Sequence, residues 1–182
     1  DYKNTISNAC LFAIAARLAR YTKNDTYAET ATTVYDWLKD VGYFKLDGDS
    51  YSVYDGASIT GNCSSVNTAQ WTYNQATVLG GAAYMANYTG NSTWVTEVGR
   101  HISGMSVFLN NNILYERQCA SSNTCNNDQR SFKSITSQYL GATARLVPEY
   151  SDQVMEIIDA SAKGAAESCS GGSDGHTCGT SW

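Results

Sequence analysis

The chain has 182 residues, which suits one domain large enough to bury a core. Its 12 Lys and Arg against 17 Asp and Glu give a net charge of −5, and this acidic balance argues against a nucleic-acid partner, which needs a basic patch. The single proline, Pro148, leaves few helix breakers, and no run of about 18 apolar residues encodes a transmembrane helix.

Apolar periodicity predicts six helices that pair into three hairpins. The second, fourth and sixth helices are amphipathic, with apolar residues at i, i+3 or i+4 and i+7, so each is expected to bury one face. Thr26 and Glu29 form a capping-box pattern that marks the start of the second helix. The six helices run from Asn4 to Tyr21, Thr26 to Val41, Asn67 to Tyr88, Thr93 to Leu109, Asp128 to Val147 and Ser151 to Cys169.

The first and third helices contain runs that are apolar on every side, at residues 9–16 and 76–83. Such helices are expected to be buried on every side, and Gly80-Gly81 indicates close packing, because glycine is costly in an exposed helix. The segment Tyr21-Thr-Lys-Asn-Asp-Thr-Tyr27 recurs 67 residues later as Tyr88-Thr-Gly-Asn-Ser-Thr-Trp94. Repeated hairpins of inner and outer helices predict an all-α protein, an (α/α)6 toroid, of which three hairpins make about half. The chain is therefore interpreted as a partial barrel.

Two long loops, Gly42 to Val66 and Asn110 to Asn127, lie between the hairpins and are expected to line one rim of the toroid. The alternating stretch Tyr51 to Asp55 predicts a short strand in the first of these loops.

The six cysteines suit a disulfide framework in an oxidising compartment, but they allow fifteen pairings. Cys119 with Cys125 and Cys169 with Cys178 are near each other in sequence. With no Cys-x-x-Cys and two histidines, a zinc site is not expected, and no cofactor is predicted. Glycosylation sequons occur at residues 24, 62, 87 and 91, three of them in predicted inter-helix turns, which favours a secreted protein.

The inner helices begin with polar and aromatic residues, in the segments Lys3 to Asn8, Gln70 to Gln75 and Asp128 to Lys133. Gathered at one end of an inner ring, these residues would form an aromatic-walled polar cleft suited to sugars. Any single one of them is equally well explained as a helix cap or a packed polar residue. The carboxylates nearest this cleft are those of Asp55, Glu116 and Asp128, and the sequence does not set their separation.

Several of these stretches resemble glycoside hydrolase family 76, the α-1,6-mannanases with an (α/α)6 barrel, and most closely its fungal cell-wall members. They include Tyr2-Lys-Asn-Thr-Ile-Ser-Asn8, Gln70-Trp-Thr-Tyr-Asn-Gln75 and Cys125-Asn-Asn-Asp-Gln129. The family uses two adjacent aspartates as nucleophile and general acid/base in a retaining mechanism. This chain contains no Asp-Asp, so the resemblance gives it no catalytic residue. The substrate-binding residues that the resemblance implies are Asn8, Asp55, Trp71, Tyr73, Asn74, Gln75 and Lys133.

The resemblance implies that residues 1–182 are the carboxyl-proximal portion of a single catalytic domain, inactive without the remainder of the barrel. The expected substrate is α-1,6-linked mannose, in wall mannan or in a lipid-anchor glycan, with hydrolysis or transglycosylation as the reaction. The expected location is the fungal cell surface or wall, with membrane attachment only through a glycosylphosphatidylinositol anchor outside this chain. A non-catalytic carbohydrate-binding module and a different α,α-toroid enzyme, such as a polysaccharide lyase, are the alternatives.

Overall fold

The computed structural model describes residues 1–182 and contains six α-helices in three hairpins, as the sequence predicts. None of the helices combines the length and hydropathy needed to cross a bilayer. The helices are α1 (Thr5–Thr22), α2 (Asp25–Asp40), α3 (Thr72–Thr89), α4 (Ser92–Gly104), α5 (Asn127–Leu146) and α6 (Ser151–Glu167). Short 3-10 helices follow α4 and α5, at Met105–Phe108 and Pro148–Tyr150.

The helices form an inner and an outer layer. In the inner layer α3 lies in the middle and packs against α1 on one side and α5 on the other. Each outer helix packs against the inner helix that precedes it, so α2, α4 and α6 cover α1, α3 and α5. Close approach in the inner layer depends on two glycines, because a Cβ at Gly80 would overlap the ring of Tyr139 and one at Gly81 the ring of Phe12. The predicted close packing at Gly80-Gly81 is confirmed.

The prediction of complete burial holds for α3 and is wrong for α1. Thirteen of the 18 residues of α3 are buried, whereas Leu11 is 49% exposed and Ile14 56% exposed on α1. The physical reason is the position of α1 at one edge of the arc, where α2 and α3 cover it on two sides only. An apolar helix sequence predicts that another element packs on the helix, but it does not say which polypeptide segment supplies that element.

Several helix ends and caps differ from the predictions. The second helix is capped by Asn24, whose Oδ1 accepts from the N–H of Thr26 at 3.0 Å, so the Thr26–Glu29 capping box is wrong. A capping box does occur on α5, between Asn126 and Gln129. The third helix begins at Thr72 rather than Asn67, because Asn67 lies in a strand. The sequon residue at 87 lies in the last turn of α3 and not in an inter-helix turn.

Three small antiparallel sheets cover the rim at the amino-terminal ends of the inner helices. The strands are β1 (Tyr2–Asn4), β2 (Phe44–Asp47), β3 (Ser50–Val53), β4 (Gly56–Ser58), β5 (Val66–Asn67), β6 (Leu109–Asn110) and β7 (Ile113–Leu114). The first sheet has the strand order β1-β4-β5, and the others are the pairs β2-β3 and β6-β7. The predicted strand from Tyr51 to Asp55 is confirmed in its first three residues, since β3 begins one residue earlier and ends at Val53.

Two disulfides link Cys119 to Cys125 and Cys169 to Cys178. The first closes the loop that leads into α5, and the second closes the loop after α6. Cys10 and Cys63 are free thiols.

Candidate functional site

The carboxylate of Asp55 lies at the rim, between the starts of α1 and α3, and accepts hydrogen bonds from several polar side chains. The hydroxyl of Tyr2 donates to its Oδ2 at 2.7 Å, and the side-chain amide of Asn67 approaches the same oxygen at 3.5 Å. The Nδ2 of Asn74 donates to Oδ1 at 3.4 Å. Asp55 is half-buried, and a carboxylate offers about four acceptor positions. It can therefore accept a further hydrogen bond from a ligand.

Asn74 is the second acceptor beside Asp55. It is fully buried in the first turn of α3, and its Oδ1 accepts no hydrogen bond within the chain. An unpartnered buried acceptor costs roughly 1–3 kcal/mol. A hydroxyl or amide donor from outside the chain would remove this cost.

Aromatic rings form a wall between the starts of α3 and α5. The ring of Tyr73 stacks on Phe132 with a centroid separation of 3.9 Å and an interplanar angle of 23°. Trp71 meets Phe132 edge-on at 5.6 Å. Burial, followed by the nearby carboxylates of Asp55 and Asp128, raises the pKa of Tyr73 to about 12. Its phenol therefore stays protonated at physiological pH and can donate a hydrogen bond. We call Asp55, Trp71, Tyr73, Asn74 and Phe132 the cleft edge.

The structure places the other three expected substrate contacts in interactions within the chain. The half-buried Asn8 donates from Nδ2 to the carbonyl of Asn4 at 2.8 Å. Gln75 is buried, and its side-chain amide donates to the carbonyl of His101, on α4, at 2.9 Å. Asn8 and Gln75 therefore have partners within the chain, at the start of α1 and on α4.

Lys133 is covered by the end of the chain. Its Nζ donates to the carbonyl of Thr180 at 2.8 Å and lies 3.7 Å from the ring centroid of Trp182. Burial lowers the pKa of Lys133 to about 8, and the negative charge of Glu116 opposes this shift. The lysine thus lies behind residues 180–182 rather than on the open cleft edge.

The carboxylates of Glu116 and Asp128 lie in different environments. Glu116 is buried and accepts from the backbone N–H of Thr72 at 3.3 Å and from the Thr72 hydroxyl. Burial raises the pKa of Glu116. Since Thr72 is the first residue of α3, Glu116 caps that helix, while Asp128 is exposed in the first turn of α5.

The structure contains a buried polar cluster between α2, α3, α4 and β3 that the sequence patterns did not predict. Glu97 is 5% exposed and accepts from the hydroxyls of Tyr35 and Tyr51 at 2.5 and 2.8 Å. It also pairs with Lys39 at 3.4 Å and with Arg100 at 2.7 Å. One sequence signal could have indicated this cluster. Glu97 falls on the same face of α4 as its apolar stripe, and a charged residue on a buried face needs buried partners.

Comparison with known proteins identifies the class of protein to which this fold belongs. The sequence profile described as Glycosyl hydrolase family 76 matches residues 1–182. The chain therefore belongs to glycosyl hydrolase family 76, and the predicted all-α toroid class is confirmed.

The similar curated proteins are fungal. Over its full length the chain is 53% identical to mannan endo-1,6-alpha-mannosidase DCW1 of Candida glabrata and covers 41% of that protein. It is 52% identical to mannan endo-1,6-alpha-mannosidase DFG5 of Saccharomyces cerevisiae and covers 40% of it. The chain thus spans about two-fifths of the length of the curated relatives that it matches.

Solved structures give the same fold. Dfg5 from Chaetomium thermophilum, crystallised in complex with glucosamine, is 38% identical with a TM-score of 0.95, and the match covers 100% of this chain and 44% of that one. An inactive variant of the GH76A α-1,6-mannanase of Salegentibacter sp. HEL1_6, in complex with α-1,6-mannotetrose, has a TM-score of 0.78 at 22% identity. That match covers 100% of this chain and 52% of the bacterial one.

Proposed function

We propose that the chain is the carboxyl-proximal portion of a single (α/α)6 catalytic domain of a glycoside hydrolase or transglycosidase. Its substrate class is α-1,6-linked mannose, in wall mannan or in the glycan of a lipid anchor. Below, the complete protein means this chain together with the remaining length found in its relatives. The proposed location is the cell surface or wall, after secretion, with any membrane attachment made through a lipid anchor outside this chain.

The observation that carries the proposal is the unpartnered Oδ1 of the buried Asn74 beside the carboxylate of Asp55. Two acceptors next to the aromatic wall of Tyr73 and Phe132 suit a sugar, whose hydroxyls donate and whose C–H faces pack on rings. The names of the curated relatives support mannose as the sugar, since both specify mannan endo-1,6-alpha-mannosidase.

The carboxylates of this chain suggest which roles it has in the complete protein and which roles belong to the remainder. A retaining glycosidase needs two carboxyl groups about 5–5.5 Å apart across the scissile bond. In this chain Glu116 caps a helix and Asp55 is held by donors from three other residues. We assign to this chain the binding and orientation of the sugar, and to the remainder of the complete protein the nucleophile and the general acid/base.

The test is the substitution Asn74→Leu in the complete protein, with binding of α-1,6-mannotetraose measured by calorimetry. Leucine has a similar shape but no acceptor, so affinity is expected to fall about tenfold, the equivalent of one lost hydrogen bond. The free energy of unfolding without ligand is expected to change little, because removal of the unpartnered acceptor offsets the loss of the long hydrogen bond from Nδ2 to Asp55. Asn110→Leu, at an exposed residue of β6, is the matched control and is expected to change neither quantity. Unchanged affinity in Asn74→Leu would overturn the proposal.

A further inference from the structure

His101 is fully buried on α4, one turn after Glu97. Its Nε2 lies 3.0 Å from the hydroxyl oxygen of Tyr35, and its Nδ1 lies 3.3 Å from the Nε2 of Gln75. The imidazole also stacks on the ring of Tyr51 at a centroid separation of 4.6 Å. The side chain therefore connects the outer helix α2, strand β3 and the inner helix α3.

The donors and acceptors in this cluster assign one tautomer. The hydroxyl of Tyr35 donates to Glu97, so its oxygen is free to accept from Nε2–H of His101. Nδ1 then carries no proton and accepts from the amide of Gln75. Burial lowers the pKa of His101 to about 3, which keeps the ring neutral and this arrangement of protons unchanged at physiological pH.

The contact between His101 and Gln75 requires a residue without a side chain at the end of α4. A Cβ at Gly104 would lie 2.6 Å from the Nε2 of Gln75 and would overlap the carbonyl oxygen of Tyr51. The glycine at the end of α4 thus lets the side chain of Gln75 reach His101.

Gln75 directly follows Asn74 in the first turns of α3, and Thr72 stands three residues earlier. Glu116 holds Thr72 through two hydrogen bonds, and His101 holds Gln75 through its ring and its carbonyl. The two residues of the cleft edge between these anchors, Tyr73 and Asn74, are therefore fixed in rotation about the helix axis from both ends.

We propose that His101 is a positioning residue for the cleft edge, which holds Asn74 beside Asp55 by accepting a hydrogen bond from Gln75. The inference rests on the proposed sugar-binding function of the cleft edge. Neither Glu97 nor Tyr35 forms a hydrogen bond with a residue of α3, so the contact between His101 and Gln75 is the step that carries the effect.

Two substitutions separate the links made by the two ring nitrogens. His101→Asn places an acceptor near the position of Nδ1 and keeps the link to Gln75, while it loses the link to Tyr35. His101→Gln reaches the position of Nε2 and keeps the link to Tyr35, while it loses the ring acceptor for Gln75 and leaves only the bond to the backbone carbonyl of residue 101. The variants are made in the complete protein, and KM, kcat and unfolding are measured with α-1,6-mannotetraose as substrate.

We expect His101→Gln to raise KM about tenfold and His101→Asn to stay within twofold of the unsubstituted protein, although both variants lose a similar amount of stability. Equal kinetics in the two variants would overturn the positioning role. If His101→Gln does not fold, Gln75→Met removes both the ring link and the carbonyl link from α3, so KM is expected to rise at least tenfold in that variant, and an unchanged KM would overturn the positioning role. Asn74→Leu tests the proposed function separately: if it weakens binding while the His101 pair does not differ, the positioning inference alone fails.

Discussion

At the scale of single residues, His101 is the group whose protonation has the clearest consequence for stability. In the folded protein burial lowers its pKa to about 3, while an unfolded histidine titrates near 6.5. Between these values the unfolded state binds the extra proton, so acid shifts the equilibrium toward unfolding. The attraction of Glu97 opposes this shift but does not cancel it.

The free energy of unfolding of the complete protein is expected to fall as pH drops from about 6.5 toward 3, by up to about 1.4 kcal/mol per pH unit from His101. Glu97, whose pKa is lowered by the hydroxyls of Tyr35 and Tyr51 and by Lys39 and Arg100, contributes in the same direction. Urea unfolding at a series of pH values measures the slope. His101→Asn is expected to flatten it without abolishing it, and an unchanged slope in that variant would contradict this account.

Residue patterns predicted part of the cleft edge but not the buried cluster behind it. Trp71, Tyr73 and Asn74 stand together in sequence, so their common location at a helix start could be predicted. Gln75 follows them in the same motif, yet its side chain turns toward α4. Its partner His101 is 26 residues away, and no local pattern relates the two.

At the scale of elements, α3 depends on a cap from outside the helix. Trp71 occupies the N-cap position and offers no side-chain hydrogen bond, and the cap comes from Glu116, which lies 44 residues after Thr72. This is why the sequence misplaced the start of α3, whereas the ends of α1 and α2, whose caps are the nearby Asn4 and Asn24, were predicted within one residue.

Glu116→Ala leaves the N–H and hydroxyl of Thr72 without a partner at a buried helix end. The expected loss in the free energy of unfolding of the complete protein is about 2–3 kcal/mol, the size typical of lost hydrogen bonds to a charged group. Chemical denaturation measures it. Glu149→Ala, at an exposed residue of the 3-10 helix after α5, is the control and should stay within about 0.5 kcal/mol. An equal effect in both variants would contradict the capping role of Glu116.

At the scale of the whole molecule, three hairpins form an arc whose inner side is incompletely covered. Leu11 and Ile14 are exposed on α1, and a groove of about 370 Å³ runs between α1 and α3 beside Ile14, Arg17 and Tyr84. The apolar sequence of α1 predicted a covered helix, and the relatives are more than twice as long as this chain. Both observations support the proposal that further helices of the complete protein pack on this face.

The fold class could be predicted from the sequence because helix periodicity and the repeat of the Tyr21 and Tyr88 turns are local signals. The sequence predicted an aromatic-walled polar cleft suited to sugars. It predicted no catalytic residues, since it contains no adjacent pair of aspartates. Under the proposed function, the carboxylates that act on the glycosidic bond are a property of the complete ring, of which this chain would supply one part.

The central claim, that these residues form the sugar-binding part of an α-1,6-mannose-specific glycosidase, is tested most directly by incubating α-1,6-mannotetraose with the complete protein and, separately, with residues 1–182. Chromatography of the products is expected to reveal shorter or transferred α-1,6-mannosides with the complete protein, and unchanged tetrasaccharide with residues 1–182 alone. Turnover by residues 1–182 alone, or unsaturated sugar products from the complete protein, would contradict the account.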